Sequence, residues 1–303
     1  MSDWYGTTPV AFLIFNRPET TARVFEAIRR VRPPKLLVVA DGPRSDREGE
    51  NEKCRAARSV IERVDWPCEV ITNYADTNLG CRTRISSGLD WVFANVDEAI
   101  ILEDDCLPDP SFFPFCEELL ARYRDDDRIM MISGDNFQFG RRRGPQSYYF
   151  SQYTHIWGWA TWKRAWRRYD VGMKLWPTVR EGEWLFDILG DRRSVTYWTN
   201  IFDRVHQEKI NTWDCQWMFS CWLESGLSIM PCTNLVSNIG FASDATHTSR
   251  RSPFSNMAVV PTRFPLQHPS FVIRDAKADS FTQHTHYHPG RLRRLAYRFL
   301  RFR

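Results

Sequence analysis

Four short apolar runs, spaced so that one helix fits between each pair, constrain the fold of this chain more than any other feature. Val10-Ala11-Phe12-Leu13-Ile14-Phe15 and Leu36-Leu37-Val38-Val39-Ala40 are unbroken by polar residues, as expected of strands buried on both faces of a parallel sheet. Between them, Asn16-Arg17-Pro18 offers a cap and a helix-opening proline, and Val24, Phe25, Ile28 and Val31 recur at helical spacing. Asp41-Gly42-Pro43 closes the second strand as a turn. A charged helix is expected over 46–63, a third strand over Glu69-Val70-Ile71-Thr72, a helix over 83–95 and a fourth strand before Glu103. This β-α-β-α-β-α-β order predicts an α/β fold with a doubly wound, mostly parallel sheet flanked by helices, whose ligands bind beyond the carboxyl ends of the strands.

At 303 residues and 43% hydrophobic content the chain can bury a full core. We divide it into an α/β half (1–140), a second half of the same domain (141–270) that forms a Trp-rich lobe, and a basic tail (271–303). The 13 Trp, 10 Tyr and 20 Phe crowd between Tyr148 and Trp222, where they fill a core or build a flat platform for a sugar ring. The eight cysteines contain no Cys-x-x-Cys pair, which excludes a zinc ribbon or a thioredoxin motif and predicts reduced thiols. The first residues lack a basic segment followed by an apolar one, and no window reaches the length of a membrane span, so the expectation is a cytoplasmic protein.

Net charge is +4, but six arginines and no acid lie in Arg291–Arg303. The remainder then carries 35 basic against 37 acidic residues, so the body is not expected to bind nucleic acid. In the tail, Leu292, Leu295, Tyr297, Phe299, Leu300 and Phe302 interleave with the arginines. That pattern suits a basic amphipathic helix resting on the inner face of a membrane, and equally a frayed terminus or an oligomer contact.

The chemistry gathers at the strand ends. Arg17 follows the first apolar run, Asp41 the second, and Glu103-Asp104-Asp105 the fourth. Clustered carboxylates are either a solvated acidic turn or ligands for a hard cation such as Mg2+ or Mn2+, which binds one or two carboxylates together with substrate phosphates. There is no Gly-x-Gly-x-x-Gly after the first strand and no phosphate-loop motif anywhere in the chain, which argues against dinucleotide-dependent dehydrogenases and P-loop enzymes. A pyrophosphate bound without backbone amides to cradle it would need a metal, and the acidic triplet can hold one.

The stretch Ile100-Ile101-Leu102-Glu103-Asp104-Asp105, followed by Pro108-Asp109-Pro110-Ser111-Phe112-Phe113, resembles the metal motif of the N-acetylglucosaminyltransferase I family of GT-A fold glycosyltransferases, and the order of elements over the first 140 residues is similar. The resemblance implies that Arg17 and Asp41 hold the nucleotide base and that Arg82 or Arg84 contacts the nucleotide. It further implies that Asp105 ligates Mn2+ or Mg2+, while Asp104 meets the ribose and Glu103 the sugar. The donor implied is a nucleotide-sugar, UDP-linked first of all. The acceptor implied is a glycan, a lipid-linked group or a protein hydroxyl.

An inverting transfer needs one further carboxylate as general base. Asp214, in Asn211-Thr212-Trp213-Asp214-Cys215-Gln216-Trp217, opens an apolar helix for which Thr212 is a cap candidate. The position suits a dipole-stabilising acid on its own, and the resembling family places its catalytic aspartate in such a segment. Asp135, in Ser133-Gly134-Asp135-Asn136, is the second candidate, although turn chemistry selects the same residues. Trp157-Gly158-Trp159-Ala160-Thr161-Trp162-Lys163-Arg164-Ala165-Trp166 reads either as a sugar-stacking block or as a Trp-rich core helix. His247 is a candidate second metal ligand, and His155 a polar group in the aromatic block. His284, His286 and His288 alternate without the spacing of a helical metal site. The rival readings are a sugar-1-phosphate nucleotidyltransferase, which should carry a glycine-rich loop where Asn16-Arg17-Pro18-Glu19 stands, and a non-catalytic glycan-binding protein.

Overall fold

The computed structural model describes residues 6–241 and 253–290. Eight strands form the main sheet: β1 (Val10–Ile14), β2 (Lys35–Ala40), β3 (Glu69–Tyr74), β4 (Glu98–Glu103), β6 (Ile129–Ser133), β7 (Tyr148–Ser151), β8 (Trp159–Trp162) and β9 (Leu227–Pro231). A two-stranded antiparallel ladder joins β5 (Cys106–Pro108) to β10 (Val236–Asn238). The order across the main sheet is β3-β2-β1-β4-β8-β6-β9-β7. Strands β3, β2, β1 and β4 run parallel, β8 enters antiparallel between β4 and β6, and β7 closes the far edge antiparallel to β9.

The helices are α1 (Pro18–Val31), α2 (Glu50–Ser59), α3 (Gly80–Asn95), α4 (Phe112–Arg122), α5 (Lys163–Trp166), α6 (Trp176–Glu181), α7 (Leu185–Leu189), α8 (Arg192–His206), α9 (Asp214–Leu223) and α10 (Ala276–Thr282). Alternation along each strand distributes them. Val10, Phe12, Ile14, Val38, Ile100 and Leu102 pack against α1 and α4 on one face. Ala11, Leu13, Val39, Ala99 and Ile101 pack against α3, α5 and α9 on the other. Successive strand side chains point to opposite faces, so a strand covered on both sides has no polar position to spare, and β1 is buried at every residue. A third core of Trp176, Trp198, Phe202, Phe219 and Trp222 ties α6 through α9 into the Trp-rich lobe.

The first half matches the elements expected from sequence within a few residues. The aromatic block does not form one helix: Trp159-Ala160-Thr161-Trp162 is strand β8, and only Lys163–Trp166 is helical. Trp159 faces the core of α3 and α9 while Trp162 faces that of α4, a two-residue alternation that suits Trp and Thr on a pleated surface. Residues 274–288, assigned to the tail from sequence, dock on the body: Asp275 N donates to Phe150 O of β7 at 2.8 Å, and Ser151 Oγ donates to Asp279 at 2.5 Å. His286 lies in a π-helical turn, and burial lowers its pKa to about 3. Arg291–Arg303 lies outside the described residues. Among those described, no helix is long and apolar enough to cross a membrane.

Candidate active site

The carboxyl ends of β1, β2 and β4 open into a cavity of about 550 Å3. It is lined by Arg17, Asp41, Arg84, Glu103, Asp104, Asp105 and Asp214, together with Trp157 and Gly240. Parallel neighbours end together, so β1 and β2, paired through Ile14 and Ala40, and β1 and β4, paired through Leu13 and Glu103, deliver three polar segments to one place.

Each strand end is secured differently. Asp104 extends the β1–β4 ladder with its side chain, accepting from Phe15 N at 3.0 Å. Asp105 accepts from Arg17 Nη1 at 2.8 Å, and its own carbonyl takes Ile239 N at 2.8 Å. Gly240 sits directly against it, where an added Cβ would lie 2.2 Å from Asp105 Oδ2. Glu103 accepts no side-chain hydrogen bond from the described residues. Loss of water, reinforced by Asp105, Asp104 and Asp214, pushes its carboxyl well above the usual carboxylate range. With Asp41, five acids thus converge on one cavity.

Asp41 is committed to architecture as well as to the cavity wall. Its carboxylate accepts from Gly42 N and Leu79 N at 2.9 Å, from Asn78 Nδ2 at 2.9 Å and from Gly80 N at 3.2 Å, which fixes the turn that launches α3. Arg84, one turn further on, is buried and donates through Nη2 to Asn73 O at 2.6 Å and Oδ1 at 2.7 Å. Its Nε has no partner among the described residues, and burial lowers its pKa. A buried guanidinium with an unused donor at a cavity wall is suited to an anionic or carbonyl-bearing ligand. Arg82 lies apart: it pairs with Glu208 at 2.9 Å and donates to Val171 O at 2.9 Å outside the cavity lining.

The two candidate bases occupy contrasting places. Asp214 opens α9 on the cavity wall and accepts a short hydrogen bond from Thr212 Oγ1. The helix cap position belongs to Trp213, with no side-chain cap, so Thr212 holds the aspartate rather than the helix. Asp135 is 1% exposed and does not line the cavity. Its Oδ1 bonds His155 Nδ1 at 2.7 Å within a cluster that includes Phe137 and His286.

Several lining residues carry no signal that the sequence reading used. Arg44 lies over the Phe15 ring at 5.5 Å and is held by Glu50, which also takes Asn16 Nδ2 at 2.8 Å, so Asn16 anchors this corner rather than capping α1. Asn211 Oδ1 accepts from Arg82 N at 3.0 Å and pins the start of α3 to the segment carrying Asp214. The polar turns Asp41-Gly42-Pro43-Arg44 and Asp76-Thr77-Asn78 were the available pointers. Gly158, at φ +68°, turns the chain from Trp157 on the cavity wall into β8; a Cβ there would meet Val236 at 2.7 Å.

The candidate ligand His247 lies outside the described residues. Among those described, no three His, Cys, Asp or Glu side chains form a ready-made metal site. The donor set at β4 is nonetheless all carboxylate oxygen, the chemistry Mg2+ and Mn2+ take, and Gly240 keeps Asp105 clear of a side chain. No family model and no curated protein matches the chain.

Proposed function

We propose that the protein is a metal-dependent, inverting glycosyltransferase of the GT-A type, moving a sugar from a nucleoside diphosphate donor, UDP-linked first of all, to a hydroxyl of a glycan, lipid-linked or protein acceptor. One observation carries the reading: Glu103, Asp104, Asp105 and Asp214 share a cavity with Arg17 and Arg84 at the carboxyl ends of β1, β2 and β4. Five carboxylates against three arginines in the lining favour a ligand that brings positive charge, and the arginines favour one that also carries negative charge. A divalent cation with a nucleoside diphosphate meets both demands.

Asp105 would hold the cation, which when bound neutralises charge on the departing diphosphate, typically by several kcal/mol. Arg17 and Arg84 orient the nucleotide, and Glu103 and Asp104 face the sugar and ribose. Asp214 takes the proton of the acceptor hydroxyl as the new bond to the anomeric carbon forms, while the bond to the diphosphate breaks and its electron pair leaves with the phosphate. Trp157 bounds the side from which the acceptor approaches. Asp135, sealed against His155, is not assigned a part in the reaction.

Calorimetric titration of UDP, GDP and CMP, each with Mn2+ and with EDTA, tests the reading. UDP should bind with Mn2+ and bind about tenfold or more weakly with EDTA, and Asp105→Ala should remove that difference. Absence of binding by every nucleotide would sink the proposal, as would Mn2+ dependence that persists in Asp105→Ala.

A further inference from the structure

A second cavity, of about 420 Å3, lies at the opposite edge of the sheet and shares no lining residue with the first. Its walls are the 138–146 loop, β7 through Tyr148 and Tyr149, Cys232 just after β9, and α10. Between β4 and β7 stand β8, β6 and β9, so at 4.7–4.9 Å per strand the two cavities are about 20 Å apart.

Its electrostatics are the reverse of the first. Arg141, Arg142, Arg143 and Lys277 line it against one acid, Asp275. That acid is already spent, since Asp275 Oδ1 pairs with Arg143 Nη1 at 2.9 Å and caps α10 by accepting from Lys277 N and Ala278 N at 3.1 and 3.0 Å. Arg141 lies 4.1 Å over the Phe281 ring, Arg142 donates to Gln146 O at 3.0 Å, and neither they nor Lys277 meets a carboxylate among the described residues. Three like charges lining one cavity repel one another, and the contacts of Arg141 with the Phe281 ring and of Arg142 with the Gln146 carbonyl bring them no carboxylate. Tyr149, whose hydroxyl has no hydrogen-bond partner among the described residues, lines the same cavity.

We propose that this cavity is a binding site for a phosphate-bearing ligand, gripped by Arg141, Arg142 and Lys277. The planar fork of arginine matches phosphate oxygens two at a time. The volume exceeds a bare phosphate and fits a group of sugar-phosphate size. Phosphate of this kind comes either from a free phosphorylated molecule or from a lipid headgroup. The inference does not depend on the activity proposed for the first cavity.

The test uses the full chain in EDTA, so that a metal-dependent nucleotide site contributes nothing. One arm titrates inorganic pyrophosphate by calorimetry; the other sediments the protein with phosphatidylcholine vesicles with and without phosphatidylglycerol. Both arms compare the unaltered protein with Arg141→Gln/Arg142→Gln and with Lys277→Gln, all at exposed positions. Pyrophosphate binding that weakens about tenfold in the double variant, and falls further as salt rises, establishes the free ligand as the source. Phosphatidylglycerol-dependent sedimentation lost in the same variants establishes the headgroup. Should the double variant not fold, Lys277→Gln carries the comparison by itself. Binding in both arms that is absent, or unchanged by the substitutions, overturns the proposal.

Discussion

The two ends of the main sheet both hold aspartates, and they treat them oppositely. At the ends of β1, β2 and β4, Glu103, Asp104, Asp105 and Asp214 are crowded round one cavity, and loss of water together with the three aspartates pushes the Glu103 carboxyl well above the usual carboxylate range. At the β6–β9–β7 end, each acid is answered singly. Asp135 meets His155 at 2.7 Å, and Asp279 meets Ser151 Oγ at 2.5 Å and Gln152 N at 3.2 Å. Burying a charge costs several kcal/mol unless it is paired and hydrogen-bonded. An acid satisfied on the spot is therefore consistent with architecture alone, whereas a Glu103 carboxyl crowded by three aspartates favours a third party. On the function proposed above, the same residue type is a site in one place and a fastening in the other.

Substituting one aspartate from each end is the sharpest way to break this contrast. Asp214→Asn keeps the shape of the α9 start, and its loss from the first helical turn should cost under about 1 kcal/mol of stability. Transfer to an acceptor should fall roughly a hundredfold to ten-thousandfold, the usual range for a lost general base, with Mn2+-dependent UDP affinity retained. Unfolding transitions and turnover measured on the same preparation decide the matter; a stability loss that accounts for the whole activity loss would return Asp214 to a structural role. Asp135→Ala should behave in reverse. It strands His155 Nδ1 in a region where His155 Nε2 already lacks a partner among the described residues, so denaturant unfolding should show a loss of about 3 kcal/mol, with nucleotide affinity unchanged. Weakened nucleotide binding in a folded Asp135→Ala protein would mean that the two ends communicate.

How much of this was legible in sequence also divides by end. The parallel strands announce themselves because burial on both faces forbids polar residues, and strand ends in such sheets converge; Arg17, Asp41 and the acidic triplet could be placed from that rule before any contact was known. Asp214 was reachable only through the resemblance, since its helix start alone is also explained by the dipole. The far end was legible only in part: Ile132-Ser133 reads as a strand end before a polar turn, and it closes β6. Strand β8 hides in a Trp-rich run whose two-residue alternation covers only four residues, and the Asp135–His155 pair joins positions whose proximity depends on β8 lying beside β6. Arg82 and Arg84 could not be told apart either. They are two residues apart on α3, so they project from different faces, and only Arg84 is turned beneath the cavity while Arg82 reaches Glu208.

The smallest effect tests the satisfied end by titration. Burial raises Asp279 to about 6, against the pull of Ser151, Gln152 and Arg274 toward lower values. The folded protein then holds this proton through a range in which the unfolded chain, with an ordinary aspartate near 4, has released it. The contribution of Asp279 to stability is thus greatest below about pH 4, declines as pH rises to about 6, and is constant above that, a change of about 2–3 kcal/mol at 1.4 kcal/mol per pH unit. Asp279→Asn should flatten this segment of the stability–pH curve and leave the unfolding free energy at pH 7 equal or slightly higher, because the amide carries no charge to desolvate. A variant with the slope of the unaltered protein would show that Ser151 and Gln152 satisfy the ionised carboxylate fully. Burial at this end of the sheet would then carry no cost in charge.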